Sequence, residues 1–393
     1  MILDSADANA KPVPRPDLRR MLVPVGPVLV FAASNFPFAF SVPGGDTASA
    51  LAAGSPVVVK AHPGHPRLSQ RTGEVLVEAL RAAAPRGHVR GGPRHGGGHD
   101  RAHRPAHQGG RLHRLREGRA RPPGDRHPPR GAHPVLRRAG QPQPGVRHPR
   151  RGGGPRRRHR RRLRGSFTLG TGQFCTKPGL LFLPEGHGLE ERLVEAVRGA
   201  APAGMLNDRI RSGHAHERDR LEGLGALRTL VHGADSDAGV APTLLATTAK
   251  ELLADPDPIL QECFGPTSIV VEYSGADEAL AAAQAFGGNL TATVQAEDAD
   301  AATLAPLVDA LRDRAGRVVY NGWPTGVAVA PAMHHGGPFP STTASIHTSV
   351  GTTAIRRFLR PVCYQNTPQA LLPEALRDDN PLGLPRRVDG VLS

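Results

Sequence analysis

Apolar residues near the start of the chain fall into short runs that alternate with amphipathic stretches. Two runs, Val28–Ala33 and Pro56–Lys60, are rich in β-branched residues and are bounded by turn residues, which predicts two buried strands. Small residues at Thr47–Ala53 predict a short helix between them, and Ser69 is a candidate N-cap for a second helix. The apolar stripe of that second helix consists of Val75, Leu76 and Leu80. Strand, helix, strand and helix in this order predict a parallel sheet with both faces covered.

The same alternation returns after residue 165, so the predicted fold class is α/β. Apolar runs predict strands at Leu180–Leu183, Thr267–Val271, Asn289–Val294 and Val318–Asn321. Helical periodicity predicts one helix with Leu189, Leu193, Val194 and Val197 on its apolar face, and another at Ala301–Arg314. The stretch Ile355–Tyr364 is a further strand candidate, and the tail Asp378–Ser393 is predicted to be irregular.

The stretch from 86 to 164 interrupts this pattern, and we refer to it as the Arg-rich block. It holds 24 Arg against three acidic residues, so the rest of the chain is mildly acidic although the net charge is +15. Its few apolar residues and high charge predict disorder. Only Gly, Ala, Val, Asp, Glu, Leu, Pro, His, Gln and Arg occur in it, and these are the residues whose codons begin with G or C. We interpret the block as the out-of-frame translation of a GC-rich gene, with the frame restored near Gly165.

A nucleic-acid-binding arm is the functional alternative for the Arg-rich block. Positive charge alone gives salt-sensitive, nonspecific binding to phosphates. The block contains neither an aromatic residue to stack on a base nor a lysine, and its histidines show no metal-ligand spacing. The sequence therefore favours the frameshift, and a nucleic-acid partner is not expected.

Cysteine usage and the early residues indicate a reducing compartment. Three cysteines, Cys175, Cys263 and Cys363, provide neither a disulfide framework nor a zinc pattern. The opening stretch Met1–Ala10 is polar and acidic, unlike a signal peptide, and the apolar stretch Met21–Ala33 is too short to span a bilayer. We therefore expect a cytoplasmic protein without a membrane partner.

Candidate chemistry is concentrated in the glycine-punctuated turn 170–179, which reads GTGQFCTKPG. Flanking glycines permit a close backbone approach to a ligand, and a backbone N–H beside the Cys175 thiol can point at an oxyanion. The alternative is that Cys175 is a small buried packing residue. Asn35 follows one predicted strand and Lys60 ends another, at the sheet edge where ligands of open α/β sheets bind. An oxyanion contact is the candidate role of Asn35, and a ribose or phosphate contact that of Lys60. A turn-forming Asn and a solvated Lys are the structural alternatives.

A second candidate region is Glu262-Cys-Phe-Gly-Pro266, just before a predicted strand. The carboxylate of Glu262 suits a ribose contact, and the ring of Phe264 offers a flat surface. A solvated loop acid and a core aromatic are the alternatives. Cys263 and Cys363 are predicted to be inert packing residues. The adjacent pair His334 and His335 does not make a metal site, and we place it in a loop near the substrate tunnel.

Four stretches together resemble the aldehyde dehydrogenase family, and most closely its branch that oxidises α-ketoglutaric semialdehyde. They read VLVFAASNFPFAFSVPGGDTASALAAGSPVVVKAHPGHP, GSFTLGTGQFCTKPG, QECFGPTSIV and NGWPTGVAVAPAMHHGGPFPSTT. The resemblance covers roughly residues 12–85 and 165–375. It implies a partial Rossmann-type NAD(P)-binding domain at 1–85, the block at 86–164, an α/β catalytic domain at 165–354, and a C-terminal strand and tail at 355–393 that serve oligomerisation.

The resemblance also assigns roles to residues. Cys175 is the nucleophile that forms a thiohemiacetal and then a thioester, and Asn35 holds the oxyanion. Glu262 contacts the nicotinamide ribose and Phe264 packs on the nicotinamide. Family members that prefer NAD often carry an acid three residues after the lysine, and Pro63 stands there in this chain. Lys60 and His62 would attract a 2′-phosphate, so NADP is predicted to be accepted at least as well as NAD.

The family pattern is incomplete in this chain. The family's glycine-rich cofactor turn and its glutamate general base are expected within 86–164, and neither motif is present. Subunits of the family also begin well upstream of Met1, so an N-terminal part of the cofactor domain and of the oligomerisation surface is expected to be missing. We therefore predict little or no turnover by this chain, with a non-catalytic scaffold as the alternative. The family's small aldehyde substrate and homo-oligomeric assembly are the expected partners.

Overall fold

The computed structural model describes residues 1–83, 143–147, 163–324 and 326–392. The helices α1 to α9 are Gly45–Ala52, Pro66–Ala83, 163–167, Glu190–Arg198, Asp208–Glu222, Ala249–Ala254, Pro256–Leu260, Ala276–Ala285 and Ala301–Arg314. The strands β1 to β8 are Ile2–Asp4, Leu18–Pro24, Val28–Phe31, Val57–Lys60, Gln143–Arg147, Pro178–Pro184, Arg228–Val231 and Asp235–Ser236. The strands β9 to β16 are Gly239–Val240, Thr243–Thr248, Thr267–Tyr273, Ala292–Gln295, Val318–Tyr320, Leu359–Gln365, Arg387–Val388 and Val391–Leu392.

A seven-stranded sheet forms the centre of the second half, in the order β13-β12-β5-β6-β11-β10-β7. All neighbours are parallel except β10 and β7, which run antiparallel. The strand β5 pairs with β12 on one side and β6 on the other, and it comes from the Arg-rich block. Seven residues of that block are therefore regular structure, five in β5 and two at the start of the helix 163–167. The sequence predicts disorder for the block, and its other residues lie outside the described ones.

Both faces of this sheet are covered, as predicted for parallel strands. Along β6, Leu180 and Phe182 point into one core cluster, and Leu181 and Leu183 point into the other. The first cluster packs against α6, α8 and α9, and the second against α4 and the helical turn 163–167. The near-continuous apolar run of β6 follows from this two-sided burial.

A five-stranded sheet joins the two ends of the chain, in the order β14-β2-β1-β15-β16. Its longest pairing is antiparallel and matches Leu359 with Pro24 and Gln365 with Leu18. Two expectations are wrong here. The tail contains the short strands β15 and β16, and Ile355 belongs to a 3-10 helix, Thr352–Phe358, which precedes β14. A two-residue strand is too short to show an alternation of apolar and polar residues. Such strands are therefore recognised only by the neighbouring strand with which they pair in the folded chain.

The strands β3 and β4 form a separate parallel pair. Val30 is buried, but Leu29, Phe31 and Val58 are each more than half exposed. The expectation of a sheet covered on both faces is therefore wrong for this pair, because the described residues provide a covering layer on one face alone.

The helix after β4 begins earlier than predicted. α2 starts at Pro66, so Ser69 lies inside it and is not its N-cap. The Ser69 hydroxyl instead contacts Nδ1 of His65 at 2.9 Å. Nε2 of His65 lies 3.0 Å from the carbonyl oxygen of Ala33. Because a carbonyl can only accept, Nε2 carries the proton, and the contact fixes the loop after β4 against the end of β3.

Candidate active site

Cys175 lies in the turn that leads into β6, at the amino edge of the seven-stranded sheet. Gly170, Thr171 and Gly172 have φ values of 56°, 57° and 67°, so the chain reverses through the left-handed region here. A Cβ on Gly172 would collide with the backbone of Gly265, so this glycine is needed for close packing of the two loops. The turn thus places Cys175 in a half-buried position against the loop that follows Glu262.

Four rings in consecutive contact lie beside Cys175. Phe174 meets Phe36 edge to face at 4.9 Å between ring centroids, and Phe36 meets Phe40 in the same way at 5.6 Å. Phe40 stacks on the imidazole of His335 at 6.1 Å. These rings and Cys175 line an open cavity of about 450 Å³. A largely apolar cavity with few polar groups is typical of a small-molecule site.

His335 reaches Cys175 from a long loop after β13. The loop returns to the amino edge of the sheet, where Gly316 contacts the Gly336 carbonyl so closely that a Cβ on Gly316 would collide with it. Nε2 of His335 lies 3.3 Å from Sγ of Cys175. The His335 backbone N–H donates to Oγ1 of Thr348 at 2.9 Å, and Ser349 donates to its carbonyl from both N and Oγ, each at 2.9 Å. The imidazole is therefore held in place, and only 4% of His335 is exposed.

Asn35, the predicted oxyanion donor, lies beside the cysteine turn. It follows β3, and its Nδ2 donates to the carbonyl oxygen of Gln173 at 2.8 Å. The structure thus brings Asn35 within two residues of Cys175 along the turn. One of the two Nδ2 hydrogens is engaged in this bond, which leaves a second donor on the same nitrogen.

Glu262 and Phe264 lie in the loop that packs against the cysteine turn. Lys177, two residues after Cys175, is buried, and its Nζ donates to the carbonyl oxygens of Cys263 at 2.9 Å and Thr267 at 2.8 Å. Burial lowers the pKa of Lys177, and the carboxylate of Glu262 opposes that shift. Burial raises the pKa of Glu262, and Lys177 opposes it in turn. One lysine thus joins the loop of Glu262 and Phe264 to the cysteine turn.

Lys60 and His62 lie at the carboxyl end of β4. Lys60 is exposed, and Nδ1 of His62 accepts from the N–H of Gly64 at 3.0 Å. Burial lowers the pKa of His62, and the neighbouring His65, Lys60 and Arg209 lower it further. The lowered pKa favours the neutral form of His62, so the expected positive charge at this end comes from Lys60 and from Arg209, at the start of α5.

Arg317 is a charged residue of the site that the sequence did not reveal. It precedes β13, at the same sheet edge as Cys175. Burial lowers the pKa of its guanidinium, and the charge of Cys175 acts in the opposite direction. The sequence predicts His335 only as a loop residue near the substrate tunnel, because its approach to Cys175 depends on how the loop folds back. The sequence feature that could have indicated a site role for His335 is its position before Gly-Gly-Pro, in the loop after a strand of the same sheet.

The other two cysteines differ in their environment. Cys263 is buried, as predicted, in the core cluster that contains Leu180 and Phe182, and burial raises its thiol pKa. Cys363 is exposed on β14, so its prediction as a packing residue is wrong. The prediction failed because alternate residues of an antiparallel strand face solvent. Within the described ranges, no three His, Cys, Asp or Glu side chains are grouped to hold a metal ion.

The fold and the site define an α/β protein with a half-buried cysteine on the wall of a cavity of small-molecule size. The α-ketoglutaric semialdehyde dehydrogenase 2 of Azospirillum brasilense is 40% identical over 410 aligned residues, which cover 99% of this chain and 75% of that protein. The chain belongs to the aldehyde dehydrogenase family, whose members are NAD(P)-dependent oxidoreductases. No protein-family model matches the chain.

Solved structures agree on the fold. A 3,6-anhydro-L-galactose dehydrogenase in complex with NADP superposes with a TM-score of 0.65 at 16% identity, over 93% of this chain and 75% of that one. An aldehyde dehydrogenase from Bacillus cereus in complex with NAD⁺ gives a TM-score of 0.61 at 14% identity, over 93% and 72%. Among the helices of the described segments, none combines the length and apolar character needed to cross a membrane.

Proposed function

We propose that the reaction of this chain is the oxidation of α-ketoglutaric semialdehyde to 2-oxoglutarate with Cys175 as the nucleophile. The rate is expected to be very low, because the chain lacks the family's glutamate and glycine-rich motifs. The observation that carries the proposal is the position of Cys175, half-buried on the wall of a cavity enclosed by Phe36, Phe40 and Phe174. The substrate class follows from the relative named for this semialdehyde, which is 40% identical to the chain.

The residues of the cysteine turn suit the first chemical step. Attack of the Cys175 thiolate on the aldehyde carbon forms a carbon–sulfur bond and leaves a negative charge on the former carbonyl oxygen. We expect the backbone N–H of Cys175 and the second Nδ2 hydrogen of Asn35 to stabilise that charge. Arg317, near the same sulfur, favours the ionised thiol.

The residues present fit the nicotinamide end of a dinucleotide. The close contact of Gly172 with Gly265 keeps the loop of Glu262 and Phe264 beside the cysteine turn, where Glu262 would hold ribose hydroxyls and Phe264 the ring. A bound nicotinamide supplies a hydride acceptor for the carbon attached to sulfur. Lys60, with Arg209 nearby, would attract a 2′-phosphate, and we infer that NADP is accepted at least as well as NAD. His62 adds a neutral imidazole at this end and no charge.

The test is product formation at high protein concentration, so that even a slow reaction is detected. The full chain is incubated with α-ketoglutaric semialdehyde and either NADP or NAD, and reduced nicotinamide and 2-oxoglutarate are measured. We expect stoichiometric formation of both that is absent in Cys175→Ser, with the rate for NADP at least equal to that for NAD. Equal amounts of product from the chain and from Cys175→Ser would refute the proposed function.

Substrate choice is checked in the same assay with a matched aldehyde. Pentanal has the same carbon number but lacks the oxo and carboxylate groups of the semialdehyde. Faster conversion of pentanal than of the semialdehyde would contradict the substrate assignment and leave the oxidation of aldehydes intact.

A further inference from the structure

The contact between His335 and Cys175 supplies chemistry that the proposed function does not specify. Nε2 of His335 lies 3.3 Å from Sγ of Cys175, within hydrogen-bonding range for a sulfur–nitrogen pair. The chain carries no glutamate motif of the kind that the family uses as a base. A buried imidazole in contact with a half-buried thiol is the arrangement that activates cysteine nucleophiles in unrelated enzymes.

We propose that His335 is a catalytic residue that accepts the thiol proton of Cys175 and holds the sulfur as a thiolate. The inference rests on the proposed function for the identity of the nucleophile, and it adds the group that ionises it. Cys175 and His335 then form a thiolate–imidazolium pair that faces the aldehyde cavity.

The proton transfer is balanced within the pair. The S–H bond of Cys175 breaks, an N–H bond forms at Nε2 of His335, and two neutral side chains become an ion pair. Before the transfer Nε2 must be unprotonated, so the imidazole proton is on Nδ1. The sulfur lone pair then attacks the carbonyl carbon without any further oxidant or base.

The surroundings of His335 support a fixed pair. Its ring stacks on Phe40, with an angle of 18° between the two planes, and its backbone is bonded on both sides to Thr348 and Ser349. An aromatic contact on one side and a thiol on the other restrict rotation of the imidazole about its side-chain bonds. The nitrogen therefore stays directed at the sulfur.

Other charged and titratable groups also face the pair. Arg317 lies near the sulfur and favours its negative charge. On the other side of His335, a small cavity is lined by Asp46, His347 and Arg357, and Arg357 donates to Asp46 at 2.7 Å. The neighbouring His334 has a pKa lowered by burial, so it adds no charge at neutral pH. The charge of Arg317 acts in the same direction as His335, because both favour the thiolate.

The experiment measures the rate at which iodoacetamide alkylates Cys175 in the full chain, as a function of pH. Peptide mass spectrometry separates Cys175 from Cys263 and Cys363 in every sample. At pH 6.5 a free thiol is about 1% ionised, given an ordinary pKa of about 8.5. We expect Cys175 to react at least tenfold faster in the wild-type chain than in His335→Gln at this pH. The variant should reach the wild-type rate only above about pH 9.

Matched controls distinguish a change in the ionisation of the Cys175 thiol from a general disturbance of the structure. His334→Gln changes the adjacent imidazole, which no contact joins to Cys175 in the described structure, and it should leave the profile unchanged. Exposed Cys363 should react equally in all variants, and buried Cys263 reports misfolding if it becomes reactive. Identical profiles for the wild-type chain and a folded His335→Gln would overturn the proposal.

Two further results decide the matter without the variant. A wild-type Cys175 profile that rises only near pH 8.5 would overturn the proposal even if His335→Gln does not fold. Rapid alkylation of Cys175 already at pH 6.5, in a chain that forms no 2-oxoglutarate, would support the ion pair and refute the proposed oxidation. A failure of the ion-pair proposal and a failure of the proposed function can therefore be told apart.

Discussion

The ammonium group of Lys177 donates to the carbonyl oxygen of Cys263 at 2.9 Å, and this bond connects the cysteine turn with the loop of Glu262 and Phe264. A second bond from the same nitrogen reaches Thr267, the first residue of β11. The lysine thus spans the two loops that must stay in register if a nicotinamide is to lie beside Cys175. Its position two residues after the cysteine suits this role, because the turn buries it between both loops.

Replacement of Lys177 by Met is expected to destabilise the chain. The substitution removes the donor from two buried carbonyl groups, and each unsatisfied group costs about 1–3 kcal/mol. Urea unfolding at pH 7 should show a free energy of unfolding lower by about 2–5 kcal/mol. Lys250→Met, at an exposed position of α6, is the matched control and should change it by about 0.5 kcal/mol or less. Equal stability of Lys177→Met and Lys250→Met would show that the two bonds contribute nothing.

The buried His214 is expected to make stability depend on pH. Burial lowers its pKa to about 4, with Lys177 and Arg218 acting in the same direction. Its unfolded pKa is about 6.5, so the unfolded chain binds more protons below that pH and stability falls as pH decreases from 6.5 towards 4. At pH 5 the loss from this one group is about 2 kcal/mol relative to pH 7.

The check is a comparison of unfolding free energies at pH 7 and pH 5 in the wild-type chain and in His214→Gln. Gln retains a donor for the hydroxyl of Thr267, which lies 2.9 Å from Nε2 of His214. The variant should lose about 2 kcal/mol less stability than the wild type between the two pH values. The same loss in both proteins would contradict a neutral, buried His214.

The composition of the Arg-rich block leads to a prediction about the gene. Nucleotide sequencing across codons 86–164 should reveal a second reading frame that encodes a glycine-rich turn and a glutamate in family-like context. A protein with that frame restored should turn over at least about 10²-fold faster than this chain, since it regains the positioning of the cofactor and the base. An undisturbed frame, with no dehydrogenase-like sequence in the other two, would rule out the frameshift.

The extent to which the sequence predicts this fold depends on how each element is stabilised. The strand β6 and helix α9 were predictable because their apolar residues follow the periods of a buried strand and an amphipathic helix. The short strands β15 and β16 were not predictable, because they are defined only by pairing in the folded chain. There β15 pairs with β1 on one side and with β16 on the other.

The same distinction applies to the site. Cys175, Asn35 and Glu262 stand out in the sequence because each sits in a local motif beside a strand, and their roles remain predictions. The structure brings Asn35 and the loop of Glu262 to the cysteine turn. His335 and Arg317 lie about 140 or more residues from Cys175 in sequence, and only the return of the loop to the sheet edge unites them.

The central claim is that the Cys175 sulfur attacks an aldehyde carbon in the cavity, and protection against alkylation tests it most directly. The full chain is treated with iodoacetamide at pH 7 with and without excess α-ketoglutaric semialdehyde, and labelling of each cysteine is followed by peptide mass spectrometry. The semialdehyde should slow labelling of Cys175 at least tenfold, since a thiohemiacetal has no free thiolate, and should leave exposed Cys363 unaffected. An unreactive Cys175, or labelling at the same rate with and without the semialdehyde, would contradict the account.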